Sequence, residues 1–114
     1  MTRGRNDNVV QEIEAAELQR ARESGELWQV LDVREAWETE IASIRGTIII
    51  PMSQLPGRLG ELDRHRPLAV LCHSGQRSRR VSEYLLSIGF ERVVNVRGGI
   101  DAWAVTVDPT LARY

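Results

Sequence analysis

The chain has one cysteine, Cys72, and it stands where a thiol can react. The surrounding sequence is Ala69-Val70-Leu71-Cys72-His73-Ser74-Gly75-Gln76-Arg77-Ser78-Arg79-Arg80. Ala69 to Leu71 is a short apolar run that suits the end of a buried strand. His73 to Arg77 make a polar loop in which Gly75 is free to adopt positive φ. Ser78 is expected as the N-cap of a helix. Behind it Val81, Tyr84, Leu85 and Ile88 fall at i, i+3, i+4 and i+7, the apolar stripe of that helix, and Gly89 stands where a helix stops. A loop that bends onto a helix start turns several backbone N–H groups toward one point, and with the helix dipole these favour an anion. A cysteine placed there is expected to ionise more readily than a free thiol, whose pKa is about 8.5. Arg77 adds a nearby cation, and His73, Arg79 and Arg80 make the mouth more basic. The implied chemistry is nucleophilic attack by a thiolate held among amide donors.

The elements that position this loop alternate between strand and helix patterns. Residues 1–8 are polar and expected to fray. Val9 to Ile13 suits a short strand. Glu14 to Glu23 suits a helix with Ala15, Leu18 and Ala21 inward, stopped by Ser24-Gly25. Leu27 to Val33 reads as a second strand, and Glu35 to about Ala42 as a short helix. Gly46 to Ile50 gives a third strand, ended by Pro51. A helix over Gln54 to Leu62 with Ser53 as its cap is expected, although Pro56-Gly57 argues for an irregular start. The fourth strand runs into Cys72, and Val93 to Val96 is the fifth. Gly98-Gly99 turns the chain into a last helix, Ile100 to about Ala104, with Trp103 inward. The domain is therefore placed at 9–104, with 105–114 as a tail. Such alternation implies right-handed crossovers and a parallel sheet covered on both faces. The fold class is α/β, a three-layer α/β/α domain of about five strands. Cys72 then lies at the carboxyl edge of a strand, where open α/β sheets place their sites.

Whole-chain features bound the function. Acidic and basic residues nearly cancel, 16 against 15, so no nucleic-acid partner is expected. No apolar run approaches the roughly 20 residues of a membrane span, and the first residues lack the apolar core of a signal peptide. A cytoplasmic protein with a reduced thiol is expected. One cysteine cannot make an internal disulfide, and Cys72 with His65 and His73 has no recognised metal-ligand spacing. Neither a metal nor a cofactor is expected. Trp28, Trp37 and Trp103 are expected in packing. Arg34 and Glu38 lie four apart on one helix face. They read either as a solvated ion pair, which the spacing favours, or as a clamp on a neighbouring loop. Asp32 is either a turn-former or an edge residue of the site.

These residues together resemble the rhodanese family, the thiosulfate sulfurtransferases, over roughly residues 9–104. The resemblance rests on Asp32-Val33-Arg34 with Glu38, the strand from Gly46 to Pro51, Cys72 to Ser78 opening a helix, Gly89-Phe90, and Gly98-Gly99-Ile100-Asp101-Ala102-Trp103. It implies a parallel five-stranded sheet and a nucleophilic Cys72. The loop His73, Ser74, Gly75, Gln76, Arg77 and Ser78 would bind the substrate and cradle a persulfide. Asp32, Arg34 and Glu38 match the family's structural motif. The implied partners are a small anionic sulfur donor, a thiol or cyanide acceptor and a sulfur-relay protein. One stretch departs from the family. Ala42-Ser43-Ile44-Arg45-Gly46-Thr47 stands where Gly-His-Ile-Pro-Gly-Ala is usual, and Ile49 where an Asn is frequent. Arg97, before the Gly-Gly pair, is a further candidate charge near the site. Two rivals stand beside the sulfurtransferase. One is a carrier or regulatory module with little turnover. The other is a phosphatase or arsenate reductase, whose loop places five residues between Cys and Arg where this one places four.

Overall fold

The computed structural model describes residues 9–114. The expectation for residues 1–8 lies outside the described residues. Five strands make one sheet: β1 Gln11–Ile13, β2 Gln29–Asp32, β3 Ile48–Ile49, β4 Leu68–Leu71 and β5 Val93–Val96. Their order is β1-β5-β4-β2-β3, and every neighbouring pair is parallel. Strands β2, β4 and β5 are buried at every residue. That is the expected state of a parallel strand covered on both faces, and it explains the unbroken apolar run of β4.

Alternation along the strands sorts side chains between two cores. On one face Val30, Ala69, Leu71, Val94 and Val96 pack with α1 (Ala15–Glu23) and α4 (Gly99–Thr106) through Leu18, Ile100 and Trp103. On the other face Leu31, Leu68, Val70 and Val93 pack with α3 (Gln76–Ser87) through Val81 and Leu85. Cys72 belongs to this second face, because it follows Leu68 and Val70 at the strand period. Asn95, register partner of Val70, lies on the same face of β5. The three-layer α/β/α expectation therefore matches the fold.

Several local expectations do not. The helix expected over 54–62 is two 3-10 turns, Met52–Gly57 and Leu59–Glu61. Pro56 stands inside the first and has no N–H for an α-helical ladder, and Ser53 makes no cap. Helix α3 starts at Gln76, two residues before the expected cap, because Gly75 at φ 106° is the N-cap. Its buried face is Ser78, Val81, Ser82 and Leu85, while Tyr84 is exposed. Ser82 Oγ donates to the Ser78 carbonyl at 2.8 Å, and that bond lets a hydroxyl replace Tyr84 in the buried stripe. Trp28 and Trp103 are buried, but Trp37 is 60% exposed on α2 (Ala36–Ile41). Val107, Leu111 and Tyr114, expected in a tail, pack against the α1/α4 core.

Candidate functional site

Cys72 immediately follows the central strand β4 and is 1% exposed. The chain turns at once, and three donors converge on its sulfur. Gly75 N–H approaches Sγ at 3.1 Å, Ser78 N–H at 3.4 Å and Ser78 Oγ at 3.2 Å. The left-handed Gly75 makes this turn possible. Ser78 Oγ also lies 2.5 Å from Asn95 Oδ1. A hydroxyl has one proton, so Ser78 serves the sulfur or the amide at any moment. Asn95 is held in place by its own Nδ2, which donates to Gly75 O at 3.0 Å and Glu12 Oε2 at 3.2 Å.

The backbone of Cys72 is fixed from the far side. The first N–H groups of α4 point at it: Ile100 N–H donates to Cys72 O at 2.8 Å and Asp101 N–H to His73 O at 3.1 Å. This approach needs glycine. A Cβ on Gly99 would lie 2.4 Å from Cys72 O and 2.5 Å from His73 O. The Gly-Gly pair is therefore part of the site although it touches no sulfur.

A chain of charges flanks the loop. Arg34 is completely buried and forks onto Asp32, with Nε at 2.9 Å from Oδ1 and Nη2 at 2.7 Å from Oδ2. Its remaining N–H groups reach Ala42 O, Glu38 O and the phenol of Tyr114. The solvated Arg34–Glu38 pair favoured by the spacing does not form: Arg34 meets only the backbone carbonyl of Glu38. The Glu38 carboxylate faces Arg77, whose two Nη groups each bind it at 2.7 Å. This contact reaches the Cys72 loop, as a clamp on a neighbouring loop requires. That hydrogen-bonded fork, against the cost of burial, pulls Glu38 from the ordinary 4.5 to about 2. Arg77 is raised by the same bond. Burial opposes the charge on Arg34, and its bonds to Asp32 and Tyr114 outweigh burial, so Arg34 too is raised.

The mouth is thus less basic than the sequence suggests. Glu38 takes up Arg77. Arg97 is paired with Glu12 and Glu14 on the β1 edge. Arg79 and Arg80 are exposed, with no ion pair among the described residues. Of the loop, Gly75 and Ser78 are buried, His73 and Arg77 half-buried, and Ser74 and Gln76 exposed. Among the described residues no cluster of three His, Cys, Asp or Glu side chains could hold a metal.

Two members escaped sequence reasoning. Asn95 had a signal, since a lone polar residue in Val93-Val94-Asn95-Val96 must find buried partners. Tyr114 had none. Its hydroxyl donates to Glu38 Oε1 at 2.9 Å, and its ring stacks on His73 with centroids 4.1 Å apart.

A family model described as the rhodanese-like domain matches residues 14–106. The chain belongs to the rhodanese-like family. A sulfurtransferase of Allochromatium vinosum is 34% identical over 96 residues, 84% of this chain and 90% of that protein. A chloroplastic rhodanese-like/PpiC domain-containing protein of Arabidopsis thaliana is 40% identical over 90 residues, 75% of this chain. A Bacillus subtilis relative bearing a sulfur-carrier name is 34% identical over 98 residues, 86% of this chain. The chain spans 30% and 53% of the lengths of these last two. The crystal structure of a rhodanese-like domain protein from Staphylococcus aureus superposes with a TM-score of 0.80 at 31% identity, covering 92% of this chain and 99% of that one. No helix among the described residues is long and apolar enough to cross a membrane.

Proposed function

We propose that this rhodanese-like chain is a sulfurtransferase that carries a sulfane sulfur on Cys72. The observation that carries this reading is the convergence of the Gly75 and Ser78 donors on one buried sulfur atom. Preorganised donors stabilise charge without reorganising when it develops. The Cys72 thiolate attacks the outer sulfur of thiosulfate. A new S–S bond forms, the old S–S bond breaks, and sulfite leaves with the electron pair. Cys72 then bears a persulfide anion, which the loop amides cradle. A thiolate or cyanide attacks the outer sulfur next, forming its own bond and releasing the Cys72 thiolate. This is double displacement, with ping-pong kinetics.

The ring of donors is small, which supports a sulfur cargo over a phosphoryl oxyanion. Only four residues separate Cys72 from Arg77, and Arg77 is engaged with Glu38. The relative with a sulfur-carrier name supports a second reading, in which a partner protein loads Cys72 and thiosulfate is a poor donor.

The deciding experiment is the intact mass of the non-reduced protein before and after thiosulfate, with Cys72→Ser alongside. A gain of one sulfur, reversed by cyanide and absent in the variant, is expected. Rapid repeated turnover marks a sulfurtransferase, and loading with slow turnover marks a carrier. No sulfur gain from thiosulfate or from a cysteine-desulfurase donor refutes both readings.

A further inference from the structure

Tyr114 reaches the site from 36 residues beyond Ser78, and no motif announces it. We propose that Tyr114 is a positioning residue for Cys72, holding both ends of the Cys72 loop through one phenol ring.

Arg34 carries five N–H groups. Asp32 takes those on Nε and one on Nη2; the Ala42 carbonyl takes the other on Nη2 at 2.8 Å. Of the Nη1 pair, one meets Glu38 O at 3.2 Å and the last meets Tyr114 Oη at 3.0 Å. Arg34 is fully buried, so without Tyr114 this last donor faces no acceptor. The hydroxyl donates its own hydrogen bond to Glu38 Oε1, the oxygen that also accepts from Arg77 Nη2. One phenol oxygen therefore couples the Asp32–Arg34 pair to the Glu38–Arg77 pair.

Both ends of the loop feel this group. Arg77 adjoins Ser78, whose N–H and hydroxyl face Sγ. At the other end the Tyr114 ring lies on His73, the residue after Cys72, at an interplanar angle of 12°. The Gly75 donor sits between these two anchors. A misplacement of about 1 Å in groups aimed at a reacting atom can cost on the order of a hundredfold in rate, so anchoring at this distance bears on sulfur transfer. Tyr114 makes no hydrogen bond to Sγ; it acts through His73, Glu38 and Arg77.

The test compares Tyr114→Phe with wild type and with Tyr84→Phe, which alters an exposed tyrosine outside the site. Phenylalanine keeps the ring over His73 and removes only the hydroxyl. Two quantities are read: amide hydrogen exchange at Gly75, Ser78 and β4, and the rate of sulfur loading from thiosulfate. Tyr114→Phe is expected to exchange roughly tenfold faster at Gly75 and Ser78, with a smaller change at Val70 and Leu71. Its loading at saturation is expected to be roughly tenfold slower, with KM within about twofold of wild type. Tyr84→Phe should match wild type in both.

Loop amides that speed up no more than those of β4 would reduce Tyr114 to general stability and overturn the inference. So would faster loop exchange with unchanged loading. Loading bears on Tyr114 only if the persulfide reading holds. If wild type takes up no sulfur, that reading fails, and the loop amides alone decide on Tyr114.

Discussion

Neutralising Glu38 tests the clamp beside the Cys72 loop quantitatively. Glu38 is 3% exposed and accepts two bonds from Arg77, one from Tyr114 and one from the Glu35 N–H. In the unfolded chain its carboxyl has the ordinary 4.5, and in the fold about 2. Each tenfold in proton affinity corresponds to about 1.4 kcal/mol, so the native partners favour the carboxylate by about 3 kcal/mol. The sign follows from linkage. Above pH 4.5 both states are ionised and the stabilisation is complete. As pH falls the unfolded chain takes the proton first, stability declines, and below about 2 the contribution is gone. Glu38→Gln removes the charge and turns an N–H toward donors that were satisfied. It is expected to lose about 3 kcal/mol at pH 7, a ceiling because the Arg77 side chain is 32% exposed and partly screened. With an m-value of about 1.5 kcal/mol/M, the urea midpoint falls by roughly 2 M. Buried Trp28 and Trp103 report unfolding by fluorescence. Between pH 5 and 2.5 the wild-type midpoint should fall toward that of the variant. Curves that stay parallel over this range, or a loss below about 1 kcal/mol at pH 7, would refute the reasoning.

Three further outcomes follow from the same geometry. Asp32→Asn leaves the buried Arg34 without its counter-charge and should cost about 3–5 kcal/mol in urea unfolding. Gly99→Ala forces a methyl to within 2.4 Å of Cys72 O at φ 60°. It should cost more than about 3 kcal/mol by thermal melting, beyond the 1–3 typical of a strained φ alone. His65 is raised from 6.5 by its bond to Glu91 at 2.6 Å. Its NMR titration should therefore lie above 6.5 and drop in Glu91→Gln. Any stability from that pair is present below pH 6.5 and lost as pH rises through the folded value.

The legible parts of this molecule are those whose signal is local. The run Val93–Val96 is short and apolar but for Asn95, and it is a strand with those bounds. Cys72 to Ser78 announced a strand-to-helix turn through residue types alone. The errors came where a distant group changes what a residue type means. Arg34 and Glu38 carry the spacing of a surface pair, but Asp32 sits two residues back and Arg77 arrives from another helix. The apolar stripe misplaces Tyr84 because a serine, Ser82, buries its hydroxyl on the preceding turn's carbonyl. Ser78 resembled a cap because helix starts favour serine; Gly75 had already started the helix, which freed Ser78 for the sulfur. Tyr114 was invisible because its partners are 76 and 80 residues away.

The Gly98-Gly99 contact has a consequence for synthesis. Cys72 leaves the ribosome about thirty residues ahead of Ile100 and Asp101, whose amides fix its carbonyl and that of His73. Strand β1, the first of the five to be made, also waits for β5 to supply its pairing edge, joining Gln11 to Val94. At roughly 5–20 residues per second the gap lasts a few seconds. During that time the nascent chain presents a bare thiol with no ordered cradle. The ordered surroundings of this cysteine are therefore acquired late and together with the fold, and a chain interrupted before Gly98 would carry the residue without them.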